Sequence, residues 1–214
     1  MHHLCSGMMI TLLGLIGQVM AQDRFAAIPP AQYTSEQRQA AADFLAARKT
    51  PLTGPFESMM YSPQVMTRAR AMGDYLRYKS LIGNTLSEFV ILITARNWSQ
   101  DYEWSVHAPI AAKAGISADV IGAIRIGRRP AHMNNDETIV YDFSAELMRS
   151  RQISDATFAR AEKRFGKAGV VDLAAITGYY TFLAMQLNTA RYRHTGGAKL
   201  DHLPTTGFSE TTNH

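Results

Sequence analysis

The chain has 214 residues, 46% of them hydrophobic and 19% charged, which is the balance of a folded domain and excludes a disordered or fibrous protein. The net charge is +4, and the basic residues are dispersed: Arg68 and Arg70, Arg125 to Arg129, Arg149 and Arg151, Arg191 and Arg193. None forms a run of the kind that neutralises phosphates, so no nucleic-acid partner is expected.

Residues 1–21 contain no Asp, Glu, Lys or Arg. Their apolar core, Met8 to Ile16, is too short to span a bilayer as a helix, and they end on Val19-Met20-Ala21, with small residues at the two positions a signal peptidase reads. This predicts a secretory signal peptide over 1–21, a periplasmic or secreted mature chain, and no membrane span after cleavage. His2 and His3 stand where Lys or Arg is usual, so an uncleaved anchor or a start placed too early is the alternative. The single cysteine, Cys5, lies inside this segment, which leaves the mature chain without disulfide, thiolate metal ligand or thiol redox chemistry.

The rest reads as helices in order, over an N-terminal extension (22–61), a helical domain (62–193) and a flexible tail (194–214). Thr34 to Gln37 is a capping box that opens a helix to about Arg48. Pro51, Gly54 and Pro55 make the next stretch a loop, and Ser62-Pro63 opens a second helix with Val65, Ala69, Met72 and Leu76 on its buried face. Thr85 is expected to cap a helix to about Trp98 that is apolar on every side through Phe89 to Ile93, which places it in the middle of a bundle. The following helix ends at Ala114-Gly115, and Pro109 within it predicts a kink. Ser117 caps a short helix to near Gly127, and Asp136 starts another. Ser154 caps one to Phe165, and Gly169 opens a long apolar one to about Arg191. No segment alternates with period two. The fold class is all-α, a single-domain bundle of about eight helices.

The stretch Asn97 to Pro109 concentrates the chemistry. Glu103 and His107 stand four apart, hence on one helical face at the edge of the apolar side, with Trp98, Tyr102 and Trp104 around them. A carboxylate beside an imidazole in a partly dry site is a usable proton shuttle near neutral pH, and the aromatic side chains offer flat walls for a ring-shaped ligand. Two plainer readings stand open: a helix-stabilising Glu–His pair, and aromatic residues that belong to the core. No third ligand stands near the pair in sequence, so no metal site is expected. Asn97-Trp98-Ser99 fits a glycosylation sequon at a helix end.

Several segments together resemble the carboxymuconolactone decarboxylase family, which shares the alkylhydroperoxidase D-like fold. They are Glu88-Phe-Val-Ile-Leu92, Tyr102-Glu-Trp-Ser-Val-His107 and Lys113-Ala-Gly-Ile-Ser117, with Tyr141-Asp-Phe143, Ser154-Asp-Ala-Thr157 and Gly178 to Met185 like its extended members. The resemblance runs from about Pro63 to Tyr192. The peroxidase branch of that fold uses a glutamate, then Cys-x-x-Cys, then a histidine with three residues between. Aligned on His107, the two thiols fall on Gln100 and Glu103 and the glutamate on Glu88. The resemblance therefore implies the fold without the thiol peroxidase mechanism, which needs a thiolate and a resolving thiol. From the decarboxylase branch it implies cofactor-free decarboxylation, or related acid/base chemistry, on a small lactone or cyclic carboxylic acid. His107 is then the general acid, Glu103 sets its tautomer and charge, and Glu88 is a second relay. Arg96 is the candidate carboxylate clamp, and Trp98, Tyr102 and Trp104 are candidate substrate contacts. It also implies a homo-oligomer. Glu88 has a local alternative, since Thr85-x-x-Glu88 fits a capping box. The competing class is a non-catalytic ligand-binding or structural member.

Overall fold

A computed structural model describes residues 24–194, 196, 197, 199 and 200; the expected signal peptide and the tail beyond Leu200 lie outside the described residues. Within them the chain forms α1 (Ser35–Arg48), α2 (Pro55–Met59), α3 (Pro63–Tyr78), α4 (Asn84–Asn97), α5 (Asp101–Lys113), α6 (Ala118–Arg125), α7 (Asn135–Ser150) and α8 (Asp155–Ala190), with no strand among the described residues.

The bundle is organised around α4. Every residue from Leu86 to Arg96 is buried, so this helix has no solvent face and must be sheathed. α5, α7 and α8 pack directly on it, while α1 and α2 lie outside, against α3 and α8. The N-terminal extension is thus part of the same core, and Phe44 and Phe56 from it are buried with ring centroids 5.1 Å apart.

Local signals explain most boundaries. Thr34 and Gln37 form the reciprocal capping box of α1, and Ser117 and Ser154 accept from backbone N–H groups at the starts of α6 and α8. α7 begins at Asn135, one residue before the expected Asp136, because Asn134 and Glu137 form a second capping box. Gly166 (φ 69°, ψ 171°) breaks α8 into the two expected helices, in a backbone conformation that glycine tolerates best.

Three expectations are corrected. Thr85 does not cap α4: the helix starts at Asn84, and the Thr85 hydroxyl donates to the Ala114 carbonyl at 2.9 Å, tying the start of α4 to the end of α5. The buried face of α3 is Met66, Ala69, Gly73 and Leu76, and Val65 and Met72, expected on it, are exposed; Pro109 lies inside α5, on its exposed side. The segment after His194, expected to have little to bury, places Leu200 in the core at 5% exposure, and its N–H donates to Asp101 Oδ1 at 2.7 Å.

α8 is long and apolar enough to cross a membrane by length and composition. More than half of that stretch is buried inside the bundle, as befits its core position.

Candidate active site

α4 and α5 form an antiparallel hairpin closed by Trp98, Ser99 and Gln100. Ser99 takes a left-handed conformation (φ 46°), and Gln100 caps α5 by accepting from the Tyr102 N–H at 2.9 Å. Glu88 and His107 lie at nearly equal distances on either side of this turn, so the hairpin sets them face to face. The Glu88 Oε2 and His107 Nδ1 atoms are 2.6 Å apart. On the opposite side of the ring, Nε2 lies 3.4 Å from Glu103 Oε2. The imidazole is therefore held between two carboxyl groups, one from α4 and one from its own helix.

These two carboxyls are driven in opposite directions. Burial would raise the Glu88 pKa, but the hydrogen bond and charge of His107, joined by Arg77, outweigh it and hold the group below its ordinary range. Arg77 donates from Nε and Nη2 to Glu88 Oε1 at 3.3 and 3.1 Å. Glu103 has no such donors. Burial raises its pKa, and the charges of His107 and Arg77 offset that only in part. Glu103 Oε1 is buried with no hydrogen-bond partner among the described residues. The result is an ionised carboxylate behind the ring at Nδ1 and a protonation-prone carboxyl in front of it at Nε2. Because the carboxyls approach opposite ring nitrogens, they do not converge on one point as metal ligands would.

The site opens on a cavity of about 660 Å³. Its walls come from α1 (Phe44, Arg48), α2 (Phe56), α3 (Asp74, Arg77), α5 (Tyr102, Glu103, His107) and α8 (Tyr179, Tyr180). Tyr180 sets its ring edge-on to His107, centroids 5.3 Å apart, and burial keeps its phenol protonated well beyond the usual range. Tyr102 folds over Gly54, where an added Cβ would meet the phenol ring at 2.3 Å; Tyr179 is seated in the same way on Gly73.

The sequence candidates separate on this geometry. His107, Glu103 and Tyr102 line the cavity, and Glu88 stands directly behind His107. Trp104 is 2% exposed and packs in the core, outside the lining. Trp98 donates its indole N–H to Thr181 Oγ1 at 3.2 Å, and Arg96 is buried near the end of α4, also outside the lining. The guanidinium groups that do line the cavity are Arg77 and Arg48, neither of which the sequence reading selected. The capping-box reading of Glu88 is replaced by a tertiary role, since its carboxylate bonds His107 and Arg77.

No protein-family model and no curated protein matches the chain. Five chains of solved structures do, among them the following two. An uncharacterized peroxidase-related protein from Silicibacter sp. TM1040 superposes with a TM-score of 0.66 at 13% identity, over 82% of this chain and 94% of that one. An uncharacterized peroxidase-related protein from Ralstonia eutropha JMP134, described as an alkylhydroperoxidase AhpD core, superposes with a TM-score of 0.64 at 18% identity, over 80% and 91%. The chain has the alkylhydroperoxidase D-like fold. Within this fold, the two positions where the sequence comparison puts the redox thiols hold other chemistry. Gln100 spends its side chain on capping α5 and on Asn188, and Glu103 faces His107. The sequence has one cysteine, Cys5, far from both in sequence and outside the described residues.

Proposed function

We propose that this chain carries out cofactor-free acid/base chemistry, decarboxylation or a related proton transfer, on a small lactone or cyclic carboxylic acid. The observation that carries the reading is the His107 imidazole held between an ionised Glu88 and a protonation-prone Glu103 at the wall of a 660 Å³ cavity. In decarboxylation the bond between the ring carbon and the carboxylate breaks, CO2 leaves, and the electron pair passes into an unsaturated carbonyl. A proton must then reach carbon. Glu88 accepts the Nδ1–H and so leaves Nε2 as the working nitrogen. His107 and Glu103 share the transferable proton, and Glu88 stabilises the imidazolium whenever His107 holds it. Tyr102 and Tyr180 line the cavity beside the proton-handling groups.

The peroxidase wording attached to the two structural neighbours does not carry over, because no thiol stands at position 100 or 103. The mildly signal-like residues 1–21 support a periplasmic or secreted location, and the exposed apolar side chains of α3 and α8 (Val65, Met72, Val171) support a homo-oligomer.

A second reading has one observation in its favour: His107 is only 4% exposed, as a purely structural histidine would be. The two are separated by following the His107 imidazole by NMR while small lactone acids are added. A ligand-dependent shift of its Nε2 and carbon resonances is expected. A ring that stays silent to every acid added, in a protein that remains folded, would leave only the structural role.

A further inference from the structure

Arg48 is the last residue of α1, and its side chain reaches over the cavity. Its Nε donates to Asp74 Oδ1 at 2.9 Å. Its guanidinium carbon lies 4.5 Å from the centroid of the Phe56 ring and 5.2 Å from that of Phe44. The two rings and the one hydrogen bond restrain the guanidinium on three sides. Asp74 can do no more for it, because Arg70 donates to the other carboxylate oxygen at 2.7 Å. Nη1 and Nη2 of Arg48 therefore make no hydrogen bond among the described residues, although the side chain is 18% exposed and lines the cavity. Two guanidinium groups share one carboxylate here, so one positive charge is left uncompensated. Of the other cations of the wall, Arg77 is already paired with Glu88, and Lys79 stands solvent-exposed just past the end of α3.

We propose that Arg48 receives the carboxylate of the ligand through Nη1 and Nη2, and so makes the cavity selective for small carboxylates over neutral molecules of the same shape. The fork of a planar guanidinium matches a carboxylate in geometry and charge, and a fork already fixed by its neighbours loses little freedom on binding. The charge of Arg48 also acts on Glu103, Tyr102 and Tyr179, which places it within electrostatic reach of the proton-handling groups. This assignment deepens the proposed function and rests on it for taking this cavity as the ligand site. It gives the N-terminal extension a task in recognition.

The test is a calorimetric titration of the full chain with benzoate, cyclohexanecarboxylate and the neutral isostere benzamide, repeated on Arg48→Met and Arg48→Lys. Asp74 keeps Arg70 in both variants, so neither strands a buried charge, and thermal unfolding checks that each is folded. The carboxylates should bind the parent more tightly than benzamide. Arg48→Met should weaken carboxylate binding roughly ten- to hundredfold, as expected for lost hydrogen bonds to a charged group, and leave benzamide unchanged. Arg48→Lys should fall between, keeping the charge but not the fork. Carboxylate affinity within twofold of the parent in Arg48→Met, an equal loss for benzamide, or no binding of either carboxylate by the parent would each overturn the assignment. CO2 release from lactone acids separates the two ideas. Release unaffected by Arg48→Met sinks the clamp alone; carboxylates held through Arg48 without any release sink the decarboxylation alone.

Discussion

Removing the Glu88 carboxylate should be the most damaging single change at the site. The side chain is 0% exposed, meets His107 Nδ1 at 2.6 Å, and accepts from Arg77 at 3.1 and 3.3 Å. Glu88→Ala breaks all three contacts and leaves a guanidinium, only 15% exposed, without its counter-charge. Hydrogen bonds to charged groups contribute about 1.5–3 kcal/mol each, but the three share one carboxylate and do not add; breaking one side of a buried pair costs about 3–5 kcal/mol, and that is the expected loss. With a urea slope of roughly 2–3 kcal/mol/M for a domain of this size, the unfolding midpoint should fall by about 1–2 M. Glu88→Gln keeps the shape and should cost less. The pH dependence follows in sign. The folded pKa of Glu88 is depressed, so its contribution is present above the unfolded carboxyl value and is lost as pH falls through the folded one. Glu88→Gln should flatten that acid limb. A midpoint shift in Glu88→Ala worth under about 1 kcal/mol, or one matched by Thr85→Val as a simple helix cap would require, would refute the tertiary role argued for Glu88.

Glu103 should behave in the opposite way. Its folded pKa is raised, so it costs stability as pH climbs from the unfolded carboxyl value through the folded one, and Glu103→Gln should remove that decline in urea titrations taken at successive pH values. Turnover should follow a bell in pH, rising as Glu88 ionises and falling as Glu103 loses its proton, with both limbs belonging to the coupled Glu88–His107–Glu103 group; a flat profile would contradict the assignment. Gly54→Ala should destabilise by about 1–3 kcal/mol in thermal unfolding, because its φ of 61° suits glycine and the new Cβ would lie 2.3 Å from the Tyr102 ring. Peroxide consumption supported by a dithiol reductant should stay at the uncatalysed rate. A clear enhancement would show that thiol chemistry survives without cysteines at 100 and 103.

The helical plan was legible because its signals are local. The capping box at Thr34–Gln37, the all-round apolar run of α4 and the glycine break in α8 each act over a few residues. Glu88 shows where locality fails. Thr85-x-x-Glu88 satisfies the capping pattern, yet a histidine and an arginine brought in by α5 and α3 outcompete the backbone for the carboxylate. The hairpin symmetry of Glu88 and His107 about Trp98 was available in the sequence as a signal for that contact. Arg48 and Arg77 had none. Each stands in the last turn of an ordinary helix, where a basic residue is expected for the helix dipole, and only tertiary packing turns them toward the cavity. Trp104 went the other way: aromatic crowding suggested a binding wall, and the close-packed interior took it instead.

The measurement that bears most directly on the central claim is CO2 release from a panel of lactone and β-keto acids by the parent chain, with His107→Ala alongside. The parent should release CO2 from at least one acid, and His107→Ala should lose most of that release with the fold retained. Release that persists undiminished in His107→Ala would contradict the claim that the Glu88–His107–Glu103 array handles the proton, and no release from any acid in the panel would contradict decarboxylation itself.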